Sequence, residues 1–152
     1  MVSQAGDGLA VDLGGVTMRL PESVTSARPA LTSYAGREVA IGIRSEDMED
    51  ARLAREAPED ARLRAKVDLT EALGSEIVVH FSVAARRVVT EDTKELMRDA
   101  HTEDMPVVHS GTPFVASFAP RSRVRPGDEI EVVVDRERMH FFDPETGNSI
   151  RG

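Results

Sequence analysis

Cysteine is absent from the 152 residues. That excludes a disulfide framework, a thiolate metal site and a cysteine nucleophile, and it fits a reducing compartment. Tryptophan is also absent, and the aromatic complement is one Tyr and five Phe. Basic residues are outnumbered, 19 Lys and Arg against 27 Asp and Glu, for a formal charge of −8. A chain with neither a positive surface nor stacking aromatics is a poor binder of nucleic acid. Long apolar runs are missing too. The longest, residues 77–85, is interrupted by His80 and Ser82 and falls far short of the roughly 20 residues of a membrane helix. The first seven residues hold neither the basic nor the apolar segment of a secretory signal. No G-x-x-x-x-G-K-[ST] phosphate loop and no G-x-S-x-G elbow occurs.

What is present is short alternation broken by turn residues. Leu9, Val11 and Leu13 alternate with Ala10 and Asp12. After Gly14-Gly15, Val16, Met18 and Leu20 alternate with Thr17 and Arg19. A two-residue Gly-Gly loop suits a primed turn, because both positions accept positive φ. It predicts Leu13 opposite Val16, Val11 opposite Met18 and Leu9 opposite Leu20, with all six apolar side chains on one face. Residues 21–32 read as irregular. A strand is expected over 38–44, with Val39, Ile41 and Ile43 on one face. Ser45 could cap a short helix whose first turn holds Glu46 and Asp47, and residues 45–58 read equally as a solvated excursion.

Further strands are expected over 61–69, 76–83 and 114–118, with a turn over 71–75. Thr90-Glu91-Asp92 starts a helical stretch edged by Leu96, Met97 and Ala100. Arg125-Pro126-Gly127-Asp128 is a turn, and Ile130, Val132 and Val134 form one strand face. Residues 138–142 and 148–150 make a closing hairpin. The sum, about seven or eight short strands between Gly and Pro turns, predicts an antiparallel barrel or sandwich.

Little in this pattern carries chemistry. His80 and His140 read as wall residues of a barrel. His101, with Glu103 and Asp104, and then His109 could hold a metal weakly, but their spacing matches no closed site. Glu46-Asp47 and Glu49-Asp50 lie in a charged run, which usually means a solvated face. Arg121, Arg123 and Arg125 form a possible anion contact, with a solvated loop as the alternative.

Three stretches together resemble a known family. They are Gly42-Ile43-Arg44-Ser45-Glu46-Asp47-Met48, then Val67-Asp68-Leu69-Thr70-Glu71-Ala72-Leu73-Gly74-Ser75-Glu76, then Arg125 to Asp128 running through Met139-His140-Phe141-Phe142-Asp143-Pro144-Glu145-Thr146-Gly147. Their order resembles the C-terminal regulatory domain of the ATP-binding subunit of bacterial carbohydrate ABC importers, the maltose, sn-glycerol-3-phosphate and trehalose group. The resemblance runs from about Leu9 to Ile150. It departs at Ser45, where the family usually has Pro, and at a longer insert over 86–111.

The resemblance implies an all-β, OB-fold-like (TOBE/MOP-like) antiparallel barrel with a short helical insert, one regulatory domain over 1–152. The ATPase domain, with its ATP and magnesium, would lie before Met1. This chain would then hold no catalytic residue, cofactor or metal. The implied partners are a second copy of the subunit, its own ATPase domain, the importer's membrane subunits through that domain, and a cytoplasmic regulatory protein, but no nucleic acid. The implied location is cytoplasmic, at the inner face of the membrane.

The residues expected to contact a partner or second copy are Arg44, Glu46, Glu71, Leu73, Gly74, Ser75, Glu76 and Phe142. Structural roles compete with these. Gly74 could simply supply positive φ, and Arg44 could pair with Glu46 or Glu71. Phe141 and Phe142 must face opposite ways, one into the core and one half exposed. The alternative function is a small-molecule module that senses a sugar or phosphate and inhibits transport.

Overall fold

Residues 1–85 and 111–151 are described in a computed structural model of the chain. Among them the strands are β1 (Val2–Ala5), β2 (Gly8–Leu13), β3 (Val16–Arg19), β4 (Ala40–Gly42), β5 (Met48–Asp50), β6 (Arg62–Ala72), β7 (Ile77–Val83), β8 (Thr112–Phe118), β9 (Glu129–Val134) and β10 (His140–Phe142). All named strand pairs are antiparallel. They form a three-stranded sheet β1-β2-β3, a two-stranded sheet β10-β4 and a five-stranded sheet β5-β9-β6-β7-β8. The fold is all-β and OB-like. Residues 86–110 of the helical insert expected over 86–111 lie outside the described residues, His101 and His109 among them.

The Gly-Gly hairpin forms as its turn chemistry requires. Gly14 and Gly15 sit at φ +64° and +77°, and Leu13 faces Val16 while Val11 faces Met18. The Leu20 N–H donates to Leu9 O at 2.8 Å, which extends the same register. Sequence reading missed β1, which covers the far edge of β2 with Val2 opposite Val11. Four residues are too few to show a period.

Two other stretches differ from expectation. Residues 21–32 are not irregular: a helix α1 (Glu22–Ala27) and a 3₁₀ helix (Pro29–Tyr34) lie there, each anchored by one fully buried apolar residue, Val24 and Leu31. One anchor per element gives no amphipathic stripe to read. The strand expected over 38–44 is only β4, whose partner β10 is three residues long. Ser45 does not cap a helix. A 3₁₀ turn (Ser45–Asp47) forms without a side-chain cap and passes straight into β5.

The five-stranded sheet curls until its edge strands β5 and β8 approach each other. No ladder joins them in the described pairings. Side chains bridge the gap instead. The Glu49 carboxylate accepts the Ala119 N–H at 3.2 Å and the Asp50 N–H at 2.8 Å. The Ser122 hydroxyl donates to Asp50 at 2.7 Å. Pro113 is tolerated on β8 because that strand is an edge.

Phe81, Phe118 and Phe141 are fully buried in one hydrophobic cluster that draws on all three sheets. Each such side chain contributes about 1.5–3 kcal/mol by burial.

Candidate functional site

The surface that the sequence singles out begins with an irregularity in β6. Leu63, Ala65 and Val67 alternate inward with Arg64, Lys66 and Asp68 outward. Simple period two would also bury Leu69. The ladder shifts between Val67 and Leu69, and an extra residue reverses the facing of everything beyond it. Leu69 is therefore 49% exposed. The register sets Leu69 opposite His80 on β7, and His80 opposite Val115 on β8. Val115 is 43% exposed, so the row reads Leu69, His80, Val115 across three strands on the outer face.

The β6–β7 turn continues this surface. Gly74 sits at φ +88° with open space around it, and the Leu73 N–H donates to Glu76 O at 2.9 Å. Leu73 is 61% exposed, Ser75 is exposed, and Glu76 is half-buried. Glu71 remains in β6 rather than in the turn, and its carboxylate lies 3.0 Å from His80 Nε2. Leu69 and Val115 are thus large apolar side chains exposed on the outer face of the sheet, and Leu73 is exposed in the turn between β6 and β7. Isolated exposed apolar residues are ordinary, whereas a group of them marks a contact surface.

The first motif lies at the same end. Ile77, at the start of β7, faces Phe118 at the end of β8, and the next residue, Ala119, is held by Glu49. Here the gap between β5 and β8 opens as a cleft of about 570 Å³, lined by Glu46, Asp47, Glu49, Asp135 and Arg138, with Ser117 opposite. Glu46 is exposed and accepts only a long bond from Ser45 Oγ, 3.4 Å. Arg44 is exposed and pairs with neither Glu46 nor Glu71; among the described residues its side chain has no partner.

Asp47 was read as part of a solvated face and is the reverse. Its side chain is 3% exposed, and Arg138 approaches Oδ1 only to 3.5 Å. Oδ2 has no hydrogen-bond donor among the described residues. Asp50, from the same charged run, is also buried, but it is fully engaged by Arg52 and Ser122. No sequence signal distinguishes these acids from their exposed neighbours, because the groups that bury them arrive from β8, β9 and the loop after β8.

The remaining sequence candidates lie elsewhere. Arg121, Arg123 and Arg125 are exposed at alternate positions, with Ser122 and Val124 buried between them. None of the three side chains has an acceptor among the described residues. Phe141 is buried and Phe142 half-buried in the β4–β10 sheet, apart from the motif turn. Sequence reasoning also missed a polar tie beside that sheet. The Tyr34 hydroxyl donates to Asp143 at 2.7 Å, while Arg37 stacks 4.8 Å from the Tyr34 ring. The hydrogen bond from Tyr34, with backbone N–H groups of the 143–147 loop, holds the Asp143 carboxyl down at about 2 and moves the Tyr34 hydroxyl up. Among the described residues no group of three or more His, Asp or Glu is placed to hold a metal, and no helix is long and apolar enough to cross a membrane.

No protein-family model matches the chain. Curated relatives do. The trehalose/maltose import ATP-binding protein MalK of Thermococcus litoralis is 38% identical over 118 residues, covering 77% of this chain and 25% of the relative. The sn-glycerol-3-phosphate import ATP-binding protein UgpC of Chromobacterium violaceum is 33% identical over 136 residues, 90% of this chain and 26% of the relative. The oligosaccharides import ATP-binding protein MsmX of Bacillus subtilis is 29% identical over 145 residues, 95% and 32% respectively. The chain spans about a quarter to a third of the length of these relatives. It is a homologue of ATP-binding subunits of sugar ABC importers, consistent with a C-terminal fragment of one.

Proposed function

We propose that this chain, a homologue of sugar-importer ATP-binding subunits, is the regulatory and dimerisation domain of such a subunit, with no catalytic activity of its own. ATP and magnesium would be held by an ATPase domain outside residues 1–152. The partners are a second copy of the subunit, that ATPase domain, the membrane subunits reached through it, and a cytoplasmic regulatory protein. The working location is the inner face of the membrane.

The observation that carries this reading is the exposed apolar group Leu69, Leu73 and Val115 beside the Glu71–His80 pair. It supports a protein-docking face rather than a reaction site. A protein bound there can regulate only by favouring one arrangement of the subunit pair over another. In an importer reconstituted with the intact subunit, Leu69→Asp with Leu73→Asp is expected to abolish regulation of transport and leave ATP hydrolysis unchanged. Loss of hydrolysis, or intact regulation, would overturn the reading. So would ATP hydrolysis by residues 1–152 alone above a matched blank.

A second reading, a sugar or phosphate sensor, is favoured by the arginines at 121, 123 and 125, whose side chains have no acceptor among the described residues, since such groups bind phosphate well. Calorimetric titration with sugars and sugar phosphates separates the two readings. No heat with any of them leaves only the protein-contact role.

A further inference from the structure

The tip of the Gly14-Gly15 hairpin is pinned to the barrel, since a Cβ at Gly14 would run into the Val83 side chain. Beside that tip, Arg62 and Arg64 take the outer side of β6 because Leu63 between them is fully buried. Glu131 on β9 lies opposite Arg64 in the ladder. Glu59 comes from the 3₁₀ turn Glu59–Ala61 just before β6. Together with Thr17 of β3 these side chains line a cleft of about 670 Å³, a volume within the about 300–1,000 Å³ of small-molecule sites.

The polar groups of this cleft are positioned but little used. Arg62 Nη2 donates to Ala57 O at 2.8 Å and to Arg55 O at 3.0 Å, and Nε reaches Ala57 O at 3.3 Å. Its Nη1 is left with Glu131 at a long 3.4 Å. The Glu131 side chain has no other partner among the described residues. The side chains of Thr17, Glu59 and Arg64 are exposed and have no partner at all among the described residues. Guanidinium and carboxylate groups thus share one cleft, two of each, with most of their hydrogen-bonding capacity open.

That balance of charge selects the ligand. A phosphate would meet Glu59 and Glu131, and a cation would meet Arg62 and Arg64. A zwitterion answers one charge of each sign and leaves the other pair open. No aromatic side chain lines the cleft, so a flat apolar ligand has nothing to stack on. A hydroxyl is donor and acceptor at once. It gives its proton to a carboxylate and accepts one from a guanidinium, and neighbouring hydroxyls span the two oxygens of the one or the N–H fork of the other. We propose that this cleft binds a neutral polyhydroxyl ligand, a sugar, on Thr17, Glu59, Arg64 and Glu131, with the anchored Arg62 donating from Nη1. The inference rests on the sugar side of the sensor reading above and gives it a place, apart from the arginines at 121, 123 and 125. Its contacts replace equally good bonds to water, so the affinity is millimolar.

Titration of the isotope-labelled 152-residue chain with glucose, maltose and trehalose, followed by amide NMR, tests it. The signals of Gly15, Thr17, Arg64 and Glu131 should shift and saturate with at least one of these sugars, while those of Arg121, Arg123 and Arg125 stay in place. Glu59→Gln with Arg64→Gln should raise the dissociation constant at least about tenfold, the scale of charge-assisted bonds lost. Both side chains are exposed and unpaired among the described residues, so the fold is retained, and circular dichroism checks it. Inorganic phosphate and betaine at the same concentrations should leave the cleft signals unmoved. Cleft shifts with phosphate or betaine and with no sugar would overturn the ligand class. Sugar shifts centred away from the cleft, or a dissociation constant unchanged in the double variant, would remove the site and leave the sensor reading standing. No shift with any sugar contradicts both the site and the sugar side of that reading.

Discussion

Asp50 is 1% exposed, and the groups around it decide its charge. Arg52 donates from Nε and Nη2 at 3.0 Å each, and Ser122 donates at 2.7 Å. Burial pushes the carboxyl up, and those hydrogen bonds outweigh it, so it stays ionised below its ordinary range. A depressed acid stabilises the fold above its unfolded pKa and loses that contribution as pH falls through its folded one. Asp50→Ala should lower the unfolding free energy in urea by about 2–3 kcal/mol at neutral pH, the scale of charge-assisted bonds left unmade. The deficit should shrink on acidification; a deficit constant down to about pH 2 would show that the charge is not its source. The Tyr34–Asp143 tie makes a second test. Asp143 should titrate by NMR at about 2, and Tyr34→Phe should raise that midpoint. An unmoved midpoint would assign the depression to the backbone N–H donors alone. Neither carboxylate was legible in the sequence as a special group. Ser122 is 72 positions from Asp50, and Tyr34 is 109 from Asp143, so no local pattern joins them.

Turn chemistry was the most legible part of the chain. Gly14-Gly15 fixed a hairpin register that the structure reproduces, because loop length, positive φ and hydrophobic period all demand the same pairing. The two glycines nonetheless differ. A Cβ at Gly14 would run into the Val83 side chain, whereas one at Gly15 meets nothing within 4 Å. Asn tolerates the left-handed region. Gly15→Asn should therefore leave the melting temperature nearly unchanged, and Gly14→Asn should cost about 1–3 kcal/mol through overpacking against a fully buried strand end. Equal melting of the two variants would contradict a close approach at Gly14. Arg125-Pro126-Gly127-Asp128 was equally readable: Gly127 has φ +89° and the Asp128 N–H donates to Arg125 O at 3.1 Å. The shift at Asp68 was not readable. The apolar series Leu63, Val67, Leu69 continues in phase through the bulge, and only the ladder reveals that Leu69 has turned outward. The exposed face behind the docking proposal is for that reason a structural finding rather than a sequence one.

At the scale of the whole molecule, the described residues form an OB-like half-barrel with side-chain-bridged edges and two distinctive surfaces. One is apolar, across β6–β8. The other is the charged cleft between β5 and β8, lined by four carboxylates and Arg138. The function proposed above places regulation on this domain and leaves the chemistry to an ATPase domain outside residues 1–152. The measurement closest to that claim is the reading frame directly upstream of the Met1 codon in the native gene. The account predicts an open frame that continues upstream into a G-x-x-x-x-G-K-[ST] phosphate loop, the motif the chain itself lacks. An in-frame stop with a ribosome-binding site at that position would contradict it, and the chain would then be a free-standing module for which sensing, not subunit regulation, is the leading function.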